Sequence, residues 1–145
     1  MYGTASPFAS RHQRPNNVYS RVGLETEVHS ASPHRLIAML FEGLFTALAQ
    51  AQGALEAQQR ELKAHALSRA VRILDEGLKA GLDLEAGGEL ARQLHELYSY
   101  ASLRLVQANA RDDGAALQEV RLLLEPVRDA WSAIAPQVET RRVAA

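Results

Sequence analysis

An all-α fold, an antiparallel four-helix bundle with a flexible N-terminal leader and a short helical segment ahead of it, is what this chain predicts. Four apolar stripes recur at steps of three and four, each break between them is short, and a capped helix start precedes the first stripe. Segments of similar length on short loops become antiparallel neighbours, and the spacing suits crossing angles near ~20°. With 145 residues the chain fits one domain able to bury roughly 70% of its unfolded surface. The expected division is a leader at 1–17, the bundle at 18–135 and a disordered tail at 136–145.

The leader holds Gly3, Pro7 and Pro15, with Arg11 and Arg14 and no acid, so nothing there nucleates a packed element. Val18, Tyr19 and Val22 sit at helical spacing, but so short a helix needs a surface to lie on. An aromatic between valines is costly to leave in water, so Tyr19 is expected to dock on the bundle. Ser32 and Pro33 then form a helix start: the hydroxyl accepts from a first-turn N–H, and proline supplies a preset φ where a donor is not missed. The first helix is expected from Pro33 to about Gln58, ~39 Å long, with Ile37, Phe41, Leu44, Leu48, Ala51 and Leu55 on its buried face. The second should run from Glu61 to Ala80, with Leu67, Val71, Leu74 and Leu78 inward and Gly81 as its stop.

Gly87 and Gly88 permit a tight entry into the third helix, Glu89 to Arg111, where Leu90, Leu94, Leu97, Ala101, Leu105 and Ala108 point inward. Glu89 suits the positive end of the helix dipole. The fourth follows Asp112-Asp113-Gly114, where an Asp caps, with Leu117, Val120, Leu124, Val127, Trp131 and Ile134 inward. Pro126 removes a ladder bond, so a kink or break is expected near Leu122 to Glu125. Asn109 reads as a C-terminal turn residue, Trp131 as core, and Pro136 with the residues after it as frayed.

Composition excludes several functions. With 16 basic and 17 acidic side chains and a pI of about 6.5, no general nucleic-acid surface is expected. No cysteine means no disulfide framework and no thiolate nucleophile, in keeping with a reducing compartment. No apolar run approaches the ~20 residues that span a bilayer, and no signal-peptide core opens the chain, so a cytoplasmic protein without a membrane span is expected. The residues three before His34, His65 and His95 are Ala31, Leu62 and Arg92, so the Glu-x-x-His pattern of di-iron bundles is missing. No phosphate-binding loop and no nucleophile elbow occur. No metal, no cofactor and no enzymatic activity are expected. The five histidines are expected at the surface or flanking helices, and Arg11, Arg14 and Arg21 as solvated charges.

Some helices carry more apolar residues than one inward stripe requires. The first adds Leu36, Met39, Leu40 and Phe45, and the third Tyr98, Tyr100, Leu103 and Val106. Either this surplus lines a surface open to a partner, or it marks a helix covered from two sides by its neighbours.

Asn17-Val18-Tyr19, Ser30-Ala31-Ser32-Pro33-His34-Arg35-Leu36-Ile37 and Met39-Leu40-Phe41-Glu42-Gly43 resemble the opening of the FliS family of flagellin export chaperones. Lys79 to Asp83, Gly87 to Ala91, Leu94 to Tyr100, Ala108-Asn109-Ala110 and Ala130-Trp131 agree in order and spacing, so the resemblance covers about Val18 to Ile134. It implies a chaperone that binds the C-terminal segment of flagellin in the cytoplasm, holds it unpolymerised and hands it to the flagellar type III export apparatus, without ATP. Flagellar regulators and a second copy of the chain are further candidate partners. By position, Tyr19, Leu36, Met39, Leu40, Phe45, Tyr98, Tyr100 and Leu103 form the expected partner-binding set. The resemblance also implies that the leader lies over part of the surface, with Tyr19 as its anchor. The alternative is a helical adaptor or regulatory bundle that binds itself or another helical protein.

Overall fold

The computed structural model describes residues 30–134. The expected leader and tail, the 18–24 segment with Tyr19, Arg11, Arg14 and Arg21, and the expected domain boundaries lie outside those residues. The chain divides into two compact units, 1–36 and 37–145.

Four helices follow in order: α1 (Pro33–Glu56), α2 (Arg60–Arg72, prolonged by a π-helical stretch, Ile73–Lys79), α3 (Gly88–Arg111) and α4 (Gly114–Ala133). Local chemistry sets their ends. At the start of α1 the Arg35 N–H donates to Ser32 Oγ at 3.0 Å, the cap that Ser32-Pro33 predicts. α1 stops at Glu56, two residues before the expected Gln58. Gln58 adopts the left-handed conformation, φ 57°, while the N–H groups of Gln59 and Gln58 close on the carbonyls of Ala54 and Leu55. That pair of bonds is a Schellman closure, here formed without glycine. α3 also ends on a left-handed residue, Asp112 at φ 51°. Asp113 then caps α4, its carboxylate accepting from the N–H groups of Ala115 and Ala116.

The turn into α3 is drawn tight around Gly87. A Cβ there would lie 2.5 Å from Ala91 Cβ and 2.8 Å from the Asp83 carbonyl, and Gly88 takes φ +58°. Both glycines are needed, one for space and one for its dihedral. The α2 rod ends at the expected Gly81, with Ala80 as its C-cap, but without a left-handed residue: among the described glycines only Gly88 has positive φ, and the Gly81 N–H bonds the Gly77 carbonyl.

Each helix lies antiparallel to two others. Gly77 of the π stretch and Gly43 of α1 admit Leu40 and Ile73 from the facing helix. Lys63 at the start of α2 reaches Asn109 and Asp112 at the end of α3, and Asp75 at the other end of the α2 rod accepts from Ser102. Tyr100 and Arg104 of α3 bond Glu119 of α4. Arg128 of α4 stacks 4.3 Å above the Phe45 ring, and Gly114 packs on Leu55. The order α1, α2, α3, α4 thus closes a ring, with Leu44, Leu48, Leu74, Leu105, Val120 and Leu124 fully enclosed. Each such side chain contributes ~1.5–3 kcal/mol relative to exposure.

Some expectations need correction or refinement. Leu90, placed inward by periodicity, is 65% exposed, because α3 begins only at Gly88 and its first turn projects past the core. Ile134, the residue that follows the end of α4, is exposed as well. Of the kink or break expected near Leu122 to Glu125 the break does not occur, since α4 runs from Gly114 to Ala133 with Pro126 inside it; the carbonyl that Pro126 leaves without a partner belongs to Leu122, an exposed residue where water can bond it. His34 stands at the start of a helix, as one of the two expected placements has it, but it is buried there. Trp131 is half-buried against the core, consistent with its place on the stripe. α1 also passes, by length and composition alone, for a helix able to cross a bilayer: 24 residues with a mean hydropathy of 1.2 in its best window. Counting uninterrupted apolar residues misses this because isolated polar residues such as Glu42 and Thr46 are diluted in a window average. Its apolar face, Phe41 to Ala51, is buried in the bundle, as a core helix requires.

Gly87→Ala is expected to lower stability by ~1–3 kcal/mol, since the new methyl meets backbone at the Asp83 carbonyl and cannot be relieved by a side-chain rotation. Gly53→Ala, where a Cβ meets nothing within 4 Å, should instead raise the melting temperature through helix propensity. Thermal melts of the two variants check both signs.

Candidate functional site

The residues expected to bind a partner do not converge on one groove. Tyr19 lies outside the described residues. Leu36 and Met39 are half-buried on the first turns of α1. Leu40 and Phe45 are half-buried and pack against the core. Leu40 presses on Gly77, where a Cβ would stand 3.0 Å from Leu40 Cδ2, and Phe45 lies under the Arg128 guanidinium. The apolar surplus of α1 therefore fills the seams to α2 and α4, and Leu40 and Phe45 are seam residues. Tyr98 is corrected outright. It is 4% exposed inside the core, and burial pushes its phenol up to about 12.

α3 differs. Leu103 and Val106 are each 55% exposed, and Tyr100 is 41% exposed, all on the side of α3 opposite Ala101, Leu105 and Ala108. This face has no covering helix among the described residues. On α4, Leu122 and Leu123 are exposed as well. The run Leu122-Leu123-Leu124 carried the signal for this, since successive helical residues turn by ~100° and only one of three adjacent leucines can face a core.

A polar brace borders the α3 surface. Glu119 accepts from the Tyr100 hydroxyl and from Arg104 Nε, each at 2.7 Å, and Arg104 also donates to Gln107 at 2.7 Å. The Tyr100 bond first, and the Arg104 bond second, hold the Glu119 carboxyl below its ordinary range, while the same carboxylate raises the Tyr100 phenol. The brace fixes the Tyr100 ring at the edge of the apolar face, so the ring is preorganised for contact. Among the described residues no three His, Asp, Glu or Cys side chains gather where a metal could be held. What α3 offers is a surface for an apolar helix face.

The family model described as flagellar protein FliS matches residues 15–138. The chain belongs to the FliS family. It is 50% identical over 119 residues to the flagellar secretion chaperone FliS of Salmonella typhimurium, covering 82% of this chain and 88% of that protein. The flagellar secretion chaperone FliSB of Pseudomonas aeruginosa is 44% identical over 116 residues, 80% of this chain and 91% of its own length. The FliS of Bacillus subtilis is 32% identical over 119 residues, 82% and 84% of the two chains. The matched stretch takes in the whole ring of helices and every residue of the α3 surface. This FliS-family chain is an all-α bundle with a flagellar export role.

The brace makes a pH prediction. Because the folded pKa of Glu119 is depressed, its stabilising contribution is fully present above the ordinary value of 4.5 and is lost as pH falls through the lower folded value. The melting temperature of the native chain should exceed that of Glu119→Gln at pH 7, with the gap closing below pH 4.5. A gap independent of pH would mean that the carboxylate is not what Tyr100 and Arg104 recognise.

Proposed function

We propose that this chain is a flagellar secretion chaperone whose cargo is the C-terminal segment of flagellin, which it holds unpolymerised in the cytoplasm until the flagellar type III export apparatus takes it over. The observation that carries the reading is the apolar face of α3, Leu103 and Val106 beside the braced Tyr100, which no helix covers among the described residues. Support for the class of function comes from relatives whose names are flagellar secretion chaperones over more than four-fifths of this chain. Holding requires no catalysis: a cargo helix laid on α3 buries the apolar face it would otherwise use to pair with other subunits, and mass action keeps the bound state populated. A cargo disordered on its own orders as it docks, at a cost of ~2–5 kcal/mol, so a broad contact is needed.

Co-expression with flagellin followed by calorimetry with its C-terminal peptide tests this. The peptide should bind with a gain of helicity seen by circular dichroism. Leu103→Asp should weaken binding about tenfold or more, since a desolvated apolar anchor is replaced by a charge. Its melting temperature should stay within a few degrees of the native value, because exposed substitutions usually change stability by no more than ~0.5 kcal/mol. Leu40→Asp should instead destabilise the bundle, since Leu40 fills the seam over Gly77. Concentration-dependent self-association with no affinity for the peptide would favour the adaptor reading.

A further inference from the structure

At the end of the bundle formed by the α1–α2 and α3–α4 turns lies a cavity of about 550 Å³. Ala54 and Leu55 of α1 give it an apolar wall. Gln58 and Gln59 of the turn, Arg60 and Lys63 of α2, and Asp112 beyond α3 supply its polar groups. Two cations face one carboxylate there.

Lys63 is the unusual member, with a side chain only 7% accessible. Its ammonium donates to the Asn109 carbonyl at 3.1 Å and to the Asp112 carboxylate. Asn109 thus takes part through its backbone: its carbonyl, left over by the last turn of α3, is satisfied by Lys63. An ammonium has three protons, and the third finds no acceptor among the described residues. Arg60, at the cavity rim, makes no hydrogen bond or ion pair among them either, though it helps Lys63 hold the Asp112 carboxyl below its ordinary range. The first turn of α2 adds donors of its own. Gln59 caps it with no side-chain bond, so the Gln59 side chain leaves the first N–H groups of α2, at the positive end of the helix, untouched. The buried Lys63 ammonium and the uncommitted Arg60 guanidinium line one cavity with an apolar wall, beside the start of α2, which has no side-chain cap.

We infer that this cavity captures a carboxylate of the bound cargo, and, resting on the function proposed above, that the carboxylate is the one ending the cargo chain. A terminal carboxylate would accept from Arg60 and the α2 N–H groups while the last side chain lies on Ala54 and Leu55 and the carboxamides of Gln58 and Gln59 meet its main chain. An acidic side chain of the cargo carries the same chemistry and is the alternative source.

Calorimetry on the full chain with three peptides separates these: the flagellin C-terminal peptide as its free acid, the same peptide as its C-terminal amide, and a free-acid peptide with its Asp and Glu side chains replaced by amides. The amide should bind about tenfold more weakly, the third peptide like the first, and Arg60→Gln should erase the difference between acid and amide. If the third peptide weakens and the amide does not, the terminal assignment is wrong. Equal affinity for all three overturns the cavity as a carboxylate site while leaving the proposed function intact. Binding by none of them overturns both.

Discussion

The covering of α1 from both sides is the constraint on which the rest of the bundle depends. α1 carries apolar residues around more of its circumference than one stripe, and in water such a rod would not stay alone. α2 covers one flank, where Gly43 and Gly77 let Ile73 and Leu40 come close, and α4 covers the other, where Arg128 lies on Phe45 and Gly114 on Leu55. With α1 held between them, α3 must close the far side of the ring through Tyr98, Ala101 and Leu105. Only the inner half of α3 is then needed. Its outer half, with Leu103 and Val106, has no covering helix among the described residues, and Leu122 and Leu123 of α4 are exposed as well.

The ring is fastened at its edges by polar contacts that its apolar core does not dictate. Lys63 joins the start of α2 to the end of α3, Ser102 donates to Asp75 at 2.7 Å between the same two rods, and Glu119 joins α3 to α4. Polar contacts at a bundle's edge add little stability singly where water reaches them. Their value is in register, since each fixes how far one helix slides along the next. The cavity at the Lys63 end and the braced ring at the Glu119 site are both products of this fastening.

Most of the fold was legible in the sequence. Steps of three and four placed Phe41, Leu44, Leu67, Leu74, Leu105, Leu117 and Leu124 in the core, and Ser32, Gly87, Gly88 and Asp113 marked turns by side-chain chemistry that acts within a few residues. Periodicity failed where it had to. It cannot tell a stripe that ends with the helix from one that continues into solvent, which is why it draws Leu90 and Ile134 inward. Nor does it register that a proline on an exposed face costs a bond water can replace, as at Pro126. The candidate site was less legible, because residues at similar spacing on α1 and α3 have opposite fates. Leu40 and Phe45 go into seams and Leu103 and Val106 face outward, and spacing along one helix does not say which of its flanks a neighbour will meet. Tyr98 and Tyr100, two residues apart, point to opposite sides of α3 for the plain reason that ~200° separates them.

If the outer face of α3 holds the cargo, a direct measurement can locate it there. In methyl-resolved NMR of the chain bound to the flagellin C-terminal peptide, contacts from peptide protons should appear at the methyls of Leu103 and Val106, with those of Leu44, Leu74 and Leu124 unchanged. Contacts gathered instead on Met39 and Leu40, with Leu103 and Val106 unmoved, would contradict the assignment of the outer face of α3 as the surface that holds the cargo.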